Sequence, residues 1–140
     1  MNLYLESSAV LRDLLGGDQA MEIRRALDAA TLVVTSRLTI AEVTRVLARL
    51  RVIEPEIAAR VAVRDAAFQS ESELWGIAPL DDDILARCGR AFPHEPVRTL
   101  DAVHLATIEK VSGAIPDVVM LSTDERIRRN AAAFGFALVP

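Results

Sequence analysis

Short apolar segments alternate with helix-like stretches along this chain, and that alternation limits the folds open to it. Each apolar segment has only four to six residues, which is too short for a helix but typical of a buried strand. The predicted strands are Leu3–Glu6, Thr31–Thr35, Gly76–Leu80, Asp117–Ser122 and Phe136–Val139. Strands that alternate with helices form a parallel sheet with helices on both faces. We therefore predict an α/β fold of three layers around a central parallel sheet of about five strands.

The stretches between these segments carry helix patterns with recognisable ends. Ser7-Ser8, Asp18 and the run Asp81–Asp83 offer side chains that cap helix N-termini. Gly135 is placed to stop the last helix. The proline in Gly76–Leu80 predicts a strand at the edge of the sheet. The predicted helices are Ala9–Leu15, Asp18–Ala30, Thr39–Val52, Glu54–Leu74, Asp81–Ala91, Thr99–Val111 and Glu125–Ala133.

Length and composition favour one globular domain over residues 1–140 and exclude several alternatives. With 51% hydrophobic residues the chain can bury a core, which argues against disorder. No stretch approaches the roughly 18 apolar residues that a membrane span requires. The single cysteine, Cys88, permits no internal disulfide, which favours a reducing cytoplasm. A net charge of −4 means that the surface as a whole does not indicate nucleic-acid binding.

Missing motifs narrow the function further. The chain contains no Gly-x-x-x-x-Gly-Lys-Ser/Thr loop and no Gly-x-Gly-x-x-Gly fingerprint, so nucleotide-hydrolysing P-loop proteins and dinucleotide-binding folds are disfavoured. No cysteine and histidine set has zinc-site spacing.

Four isolated acids occupy positions that a parallel sheet would bring together. Glu6 and Asp124 follow the first and fourth predicted strands, and Glu42 and Asp101 lie near the starts of predicted helices. The carboxyl edge of an open α/β sheet is where ligands bind. Several carboxylates at one edge repel one another unless a cation neutralises them, and oxygen ligands suit Mg²⁺ or Mn²⁺.

Each of these acids also has a simpler interpretation. Glu42, Arg45 and Arg49 share a helix face, so they could form a surface ion pair or, alternatively, a metal ligand with two phosphate-binding arginines. Asp101 could favour the dipole of its helix. His104 on the same face could be a metal ligand or a proton carrier, but a hydrogen-bonded structural histidine is the better interpretation, because hard cations prefer oxygen.

The acids near the last two helices allow similar alternatives. Asp124 could be an ordinary N-cap, and the rival cluster Asp81–Asp83 is better explained by capping. Arg126, Arg128 and Arg129 could follow a phosphate backbone or form a solvated helix face.

Four segments together resemble the motifs of PIN-domain ribonucleases, in particular the VapC toxins of toxin–antitoxin pairs. The segments are Met1–Ala9, Leu38–Val43, Arg98–Thr107 and Leu121–Arg126. The resemblance follows the family's order and covers essentially the whole chain.

The resemblance implies a Mg²⁺- or Mn²⁺-dependent endoribonuclease that cleaves structured RNA such as tRNA or rRNA. It also implies a homodimer and a cognate antitoxin that blocks the acidic pocket. Carried over by motif, the catalytic and metal-binding set is Glu6, Glu42, Asp101 and Asp124. Glu42 would be a ligand or a water-orienting base, and Ser122 would support the site.

Glu6 departs from the family pattern, which has aspartate at this position. Glutamate is longer by one methylene, roughly 1.5 Å, whereas Mg²⁺ requires near-ideal octahedral geometry. An alternative function is therefore a catalytically impaired PIN module that binds antitoxin or RNA without cleaving, with an arginine paired to the pocket. A metal-dependent phosphatase fits poorly, because the first strand ends in Glu6 rather than a nucleophilic aspartate.

Overall fold

The computed structural model describes all residues 1–140 and contains one five-stranded sheet. The strands are β1 (Asn2–Leu5), β2 (Leu32–Ser36), β3 (Gly76–Ala78), β4 (Val118–Leu121) and β5 (Leu138–Val139). All neighbouring strands are parallel, in the order β3-β2-β1-β4-β5. The predicted α/β fold is confirmed, including β3 as an edge strand.

Seven α-helices connect and cover the strands. They are α1 (Ser7–Leu15), α2 (Ala20–Asp28), α3 (Arg37–Ile53), α4 (Ala58–Ser72), α5 (Asp82–Cys88), α6 (Thr99–Ser112) and α7 (Glu125–Ala133). No helix is both long and apolar enough to cross a bilayer.

Alternating side chains of β1 divide the core between the two faces of the sheet. Leu3 and Leu5 pack with apolar residues of α1 to α4 on one face. Tyr4 packs with α6 and α7 on the other face. Residues 101–108 of α6 are all buried, so that helix needs apolar or hydrogen-bonded side chains on every side. Three layers result, as the alternation of strands and helices predicts.

Two predicted helix boundaries are wrong. The predicted helix Glu54–Leu74 is divided into a 3₁₀ turn, Pro55–Ile57, and α4. Ile57, the N-cap of α4, has φ −105° and ψ 1°, outside the helical region, so the turn and α4 do not form one regular helix. Asp18 does not cap α2, because the N-cap is Gln19 in a left-handed conformation with φ 68°.

Parallel pairing brings the ends of the inner strands to one edge of the molecule. Leu5 at the end of β1 is paired with Thr35 of β2 and with Leu121 of β4. Glu6 and Ser122, which follow these strand ends, therefore lie side by side. The helix after β2, α3, carries Glu42 towards the same edge.

Candidate active site

Glu6 is buried at the carboxyl edge and is the N-cap of α1. Its Oε1 accepts hydrogen bonds from Ser7 Oγ at 2.6 Å and from the Ser8 backbone N–H at 3.0 Å. Its Oε2 accepts from Ser122 Oγ at 2.7 Å and from the Ser8 hydroxyl. Ser7-Ser8 therefore does not supply the cap as predicted, because both serines already lie within the helix and donate to Glu6.

Four donors and the N-terminus of α1 stabilise the buried Glu6 charge. The serine that precedes Asp124 by two residues, Ser122, is fully buried and lies between two of the acids. It donates to Glu6 and accepts from the Asp124 backbone N–H at 3.1 Å. Ser122 thus links the ends of β1 and β4 through one hydroxyl.

Glu42 belongs to a hydrogen-bonded series that crosses the buried side of the site. Its Oε2 lies 2.8 Å from His104 Nε2, and His104 Nδ1 lies 3.0 Å from the Tyr4 hydroxyl. The Glu42 carboxylate can only accept, so the proton of a neutral His104 belongs on Nε2, which faces it. His104 Nδ1 is then free to accept the one proton of the Tyr4 phenol, and both contacts are satisfied. His104 and Tyr4 are 1% and 0% exposed, so this arrangement is shielded from water.

The surroundings of Glu42 favour its ionised form. Burial alone raises the pKa of Glu42, but the hydrogen bond from His104, with smaller contributions from Ser7 and Arg98, outweighs it and lowers the pKa. Burial raises the pKa of Tyr4 far above its ordinary value, which keeps the phenol protonated. Both effects suit a phenol that donates to His104 and a histidine that donates to Glu42.

Asp101 and Asp124 are joined by an arginine. Arg98 binds Asp101 with two contacts, Nε to Oδ2 at 2.9 Å and Nη2 to Oδ1 at 3.2 Å, and its Nη2 also lies 3.3 Å from Asp124 Oδ2. Asp124 in addition caps α7 by accepting from the Arg126 and Ile127 backbone N–H groups. The capping interpretation of Asp124 is correct, and the same carboxylate also faces Arg98.

All four predicted acids therefore lie at the carboxyl edge, and we call Glu6, Glu42, Asp101 and Asp124 the acidic edge. One ligand atom each from Glu6, Glu42 and His104 lie within 4.8 Å of one another. The guanidinium of Arg126 lies 3.5 Å from Asp101. Four carboxylates thus face two guanidinium groups, those of Arg98 and Arg126, which leaves a net charge of minus two.

Arg45 and Arg49 lie on the exposed side of α3, three and seven residues after Glu42. Neither forms an ion pair, so the surface pairing considered for this face does not occur, and Glu42 turns to His104 instead. The rival run Asp81–Asp83 is explained by structure: Asp81 caps α5, and Lys110 binds Asp81 and Asp83 at 2.6 and 2.9 Å.

Sequence reasoning missed the roles of Arg98, Tyr4 and Ser8. Arg98 precedes Asp101 by three residues, a spacing that brings two side chains together on a helix, so its contact with Asp101 could have been found. Its second contact, with Asp124, depends on tertiary structure. Tyr4 lies in a predicted strand, and its partner His104 follows 100 positions later, so no local pattern links the two.

Comparison with known proteins identifies the family. Residues 3–133 match the PIN domain. The chain belongs to the PIN domain family. It is 32% identical over 138 residues to ribonuclease VapC46 of Mycobacterium tuberculosis, a match that covers 98% of this chain and 95% of the relative. The resemblance to VapC-type PIN proteins is therefore confirmed.

Solved PIN structures share the fold at low sequence identity. Mycobacterium tuberculosis VapC20, described as a sarcin–ricin loop cleaving toxin, has a TM-score of 0.63 and 19% identity and covers 96% of each chain. A toxin–antitoxin complex from Klebsiella pneumoniae has a TM-score of 0.65 and 17% identity, covering 100% of this chain and 97% of that one.

Proposed function

We propose that this PIN protein is a Mg²⁺- or Mn²⁺-dependent endoribonuclease toxin of the VapC type, with structured RNA as its substrate. The observation that carries the proposal is the acidic edge itself: four carboxylates from four separate parts of the chain lie where the parallel strands end. The naming of similar proteins as ribonuclease VapC46 and as a toxin that cleaves the sarcin–ricin loop supports the reaction class.

The residues present fit a divalent cation. The acidic edge offers carboxylate oxygens, which Mg²⁺ and Mn²⁺ prefer, and its two guanidinium groups leave two negative charges uncompensated. Glu6, Glu42, Asp101 and Asp124 would hold the ion. A divalent cation supplies positive charge against the phosphate and makes a nearby water easier to deprotonate.

The protein's own residues have distinct tasks in this proposal. Glu42, kept ionised by His104, orients the attacking water. Ser122 holds Glu6 in place and so supports the site. Arg45 and Arg49, exposed and free of ion pairs beside Glu42, contact RNA phosphates.

A cognate antitoxin is the proposed protein partner, because a similar fold occurs in a toxin–antitoxin complex. The acidic edge would receive a basic antitoxin side chain, since carboxylates pair strongly with arginine. We also propose that residues 1–140 form one PIN domain and that two copies associate as a homodimer in the cytoplasm.

The decisive experiment combines Mn²⁺ titration by calorimetry with cleavage of total tRNA. We expect the chain to bind Mn²⁺ and cut tRNA, and we expect Asp101→Asn to reduce cleavage by roughly a hundredfold or more. Asp83→Asn is the matched control, because it makes the same change at an exposed acid on α5 that pairs with Lys110. Equal cleavage by the unmodified chain and Asp101→Asn would refute the assigned site.

A second candidate function, an impaired PIN module that binds antitoxin or RNA without cleaving, is favoured by a specific observation. Both oxygens of Glu6 already accept hydrogen bonds from the protein, and Arg98 already bridges Asp101 and Asp124. The test is Glu6→Asp. If only that variant takes up Mn²⁺ and cuts tRNA, the unmodified chain is the impaired form; if both do so, the nuclease proposal stands.

A further inference from the structure

A polar cleft of about 370 Å³ lies beside the acidic edge, between α7 and the loop that precedes α6. The ring of Pro96 is the one apolar side chain in its lining. We call it the α7 cleft; the lining residues that matter here are His94, Glu95, Glu125, Arg126, Arg129 and Asn130.

The α7 cleft is continuous with the acidic edge through one side chain. Arg126 lines the cleft, and its Nη1 lies 3.5 Å from Asp101 Oδ2. A ligand in the cleft is therefore a direct neighbour of whatever the acidic edge binds.

The cleft offers positive charge that the protein does not use. Arg129 is exposed and takes part in no ion pair or hydrogen bond. The two acids of the cleft are directed elsewhere: Glu95 accepts from the Phe92 and Val97 backbone N–H groups, and Glu125 lies 3.7 Å from Arg128. Arg129 therefore remains the charge available to an anion, and Arg126, one helical turn away and 3.5 Å from Asp101, adds to the positive potential beside it.

The loop side of the cleft is held in a fixed position. Asn130 is fully buried, accepts from the His94 backbone N–H at 2.9 Å and donates to the His94 carbonyl at 3.1 Å. Its side chain also donates to the Arg126 carbonyl at 3.0 Å. The His94 backbone is thereby held at one side of the cleft, and its imidazole, which makes no hydrogen bond to the protein, lines the cleft together with Arg129.

We propose that the α7 cleft binds an RNA nucleotide that flanks the cleaved phosphate, an inference that rests on the proposed function. Arg129, with Arg126, contacts the phosphate, and His94 stacks on the base. The polar lining favours RNA over an antitoxin segment, because a protein partner would need apolar surface at the centre of its contact. The cleft thus selects which stretch of RNA enters the acidic edge.

The experiment measures binding of fluorescently labelled total tRNA by anisotropy in EDTA, at salt concentrations from about 50 to about 200 mM. We expect Arg129→Ala to weaken binding by roughly tenfold at the lowest salt and to make the salt dependence shallower by about one unit of slope. Arg25→Ala is the matched control, because Arg25 is also exposed and unpaired but lies on α2, which covers the other face of the sheet.

His94 provides an independent readout. We expect His94→Ala to weaken binding by roughly fivefold or more with an unchanged salt slope, because stacking releases no counterions. We expect His94→Phe, which keeps a flat ring, to retain most of the affinity. These variants lie at the surface and should keep the circular dichroism spectrum of the unmodified chain.

Each outcome decides the matter. The proposal is supported if Arg129→Ala makes the salt dependence of tRNA binding shallower and His94→Ala weakens binding without changing that dependence. Equal effects of Arg129→Ala and Arg25→Ala would mean that only overall charge matters, and would overturn it. Failure of the unmodified chain to bind tRNA would also overturn it, whereas the nuclease proposal is judged separately by Mn²⁺-dependent cleavage.

Discussion

The Tyr4 hydroxyl lies 3.0 Å from His104 Nδ1, inside the protein and out of reach of water. This contact fixes the histidine tautomer, so that Nε2 carries the proton facing Glu42. A strand residue on the sheet thereby controls the orientation of an acid on α3.

Tyr4→Phe removes the hydroxyl and leaves His104 Nδ1 buried without a donor. We expect the free energy of unfolding in urea to fall by about 1–3 kcal/mol. In ¹⁵N NMR spectra we expect the unmodified chain to show His104 protonated at Nε2, and Tyr4→Phe to show a mixture of tautomers. Thr35→Val, which removes a buried hydroxyl that donates to the Leu5 carbonyl, should cost stability without changing the His104 signals. A His104 protonated at Nδ1 in the unmodified chain would contradict the assignment.

Glu42 should make stability depend on pH in the acid range. Its pKa is lowered in the folded protein from an ordinary value of 4.5, so its ionised form contributes stability that is fully present above about pH 4.5 and is lost as the pH falls through the folded value. In EDTA, urea unfolding at about pH 6 and about pH 3.5 should show that the deficit of Glu42→Gln shrinks at the lower pH. Glu22→Gln, at an exposed acid of α2 without an ion pair, should show no such change. A deficit that is the same at both pH values would contradict the prediction.

Arg98 and a divalent cation should compete for Asp101 and Asp124. We expect Arg98→Gln to bind Mn²⁺ roughly tenfold more tightly in calorimetry, because a positive charge no longer has to be displaced. Without metal the same variant should be less stable, since Asp101 is 6% exposed and loses its bidentate partner. Arg90→Gln, at an exposed arginine without an ion pair, is the control. Weaker Mn²⁺ binding by Arg98→Gln would mean that the guanidinium does not occupy the cation's place.

Arg24 joins three helices away from the acidic edge. Its guanidinium lies 2.6 Å from Glu71 on α4 and 3.5 Å from Asp13 on α1, while its own helix is α2. We expect Arg24→Gln to lower the free energy of unfolding by about 1 kcal/mol, a modest value because the side chain is 38% exposed. Arg25→Gln, the exposed neighbour without a partner, should change it little. Equal losses in the free energy of unfolding of Arg24→Gln and Arg25→Gln would show that the removed charge, and not the contacts of Arg24 with Glu71 and Asp13, is responsible.

Periodicity and strand patterns were sufficient to predict the sheet. Leu3 and Leu5 face one core and Tyr4 the other, as alternation in a strand requires, and the acids that follow strand ends lie at one edge as parallel pairing requires. Local rules therefore predicted the convergence of the four acids before any tertiary contact was known.

Contacts between distant residues were beyond those rules. Arg98 contacts Asp124, which lies 26 positions later. Glu6 is the N-cap of α1, although the serines at the next two positions match the usual capping preference better. The choice depends on Ser122, which approaches from β4 and makes the edge a place where a carboxylate finds four donors. Capping preferences describe one helix end in isolation and cannot include such a neighbour.

The place of β1 at the centre of the sheet sets the order in which the molecule can be completed. β1 is synthesised before the other four strands, yet one of its two partners, β4, is the fourth strand to be made, and Glu6 meets Ser122 across 116 positions. Glu6 and Glu42 are therefore made long before Asp101 and Asp124 exist. Until Asp101 is made, the edge has at most two of its four carboxylates, so any activity of that edge belongs to copies in which α6 and β4 are already in place.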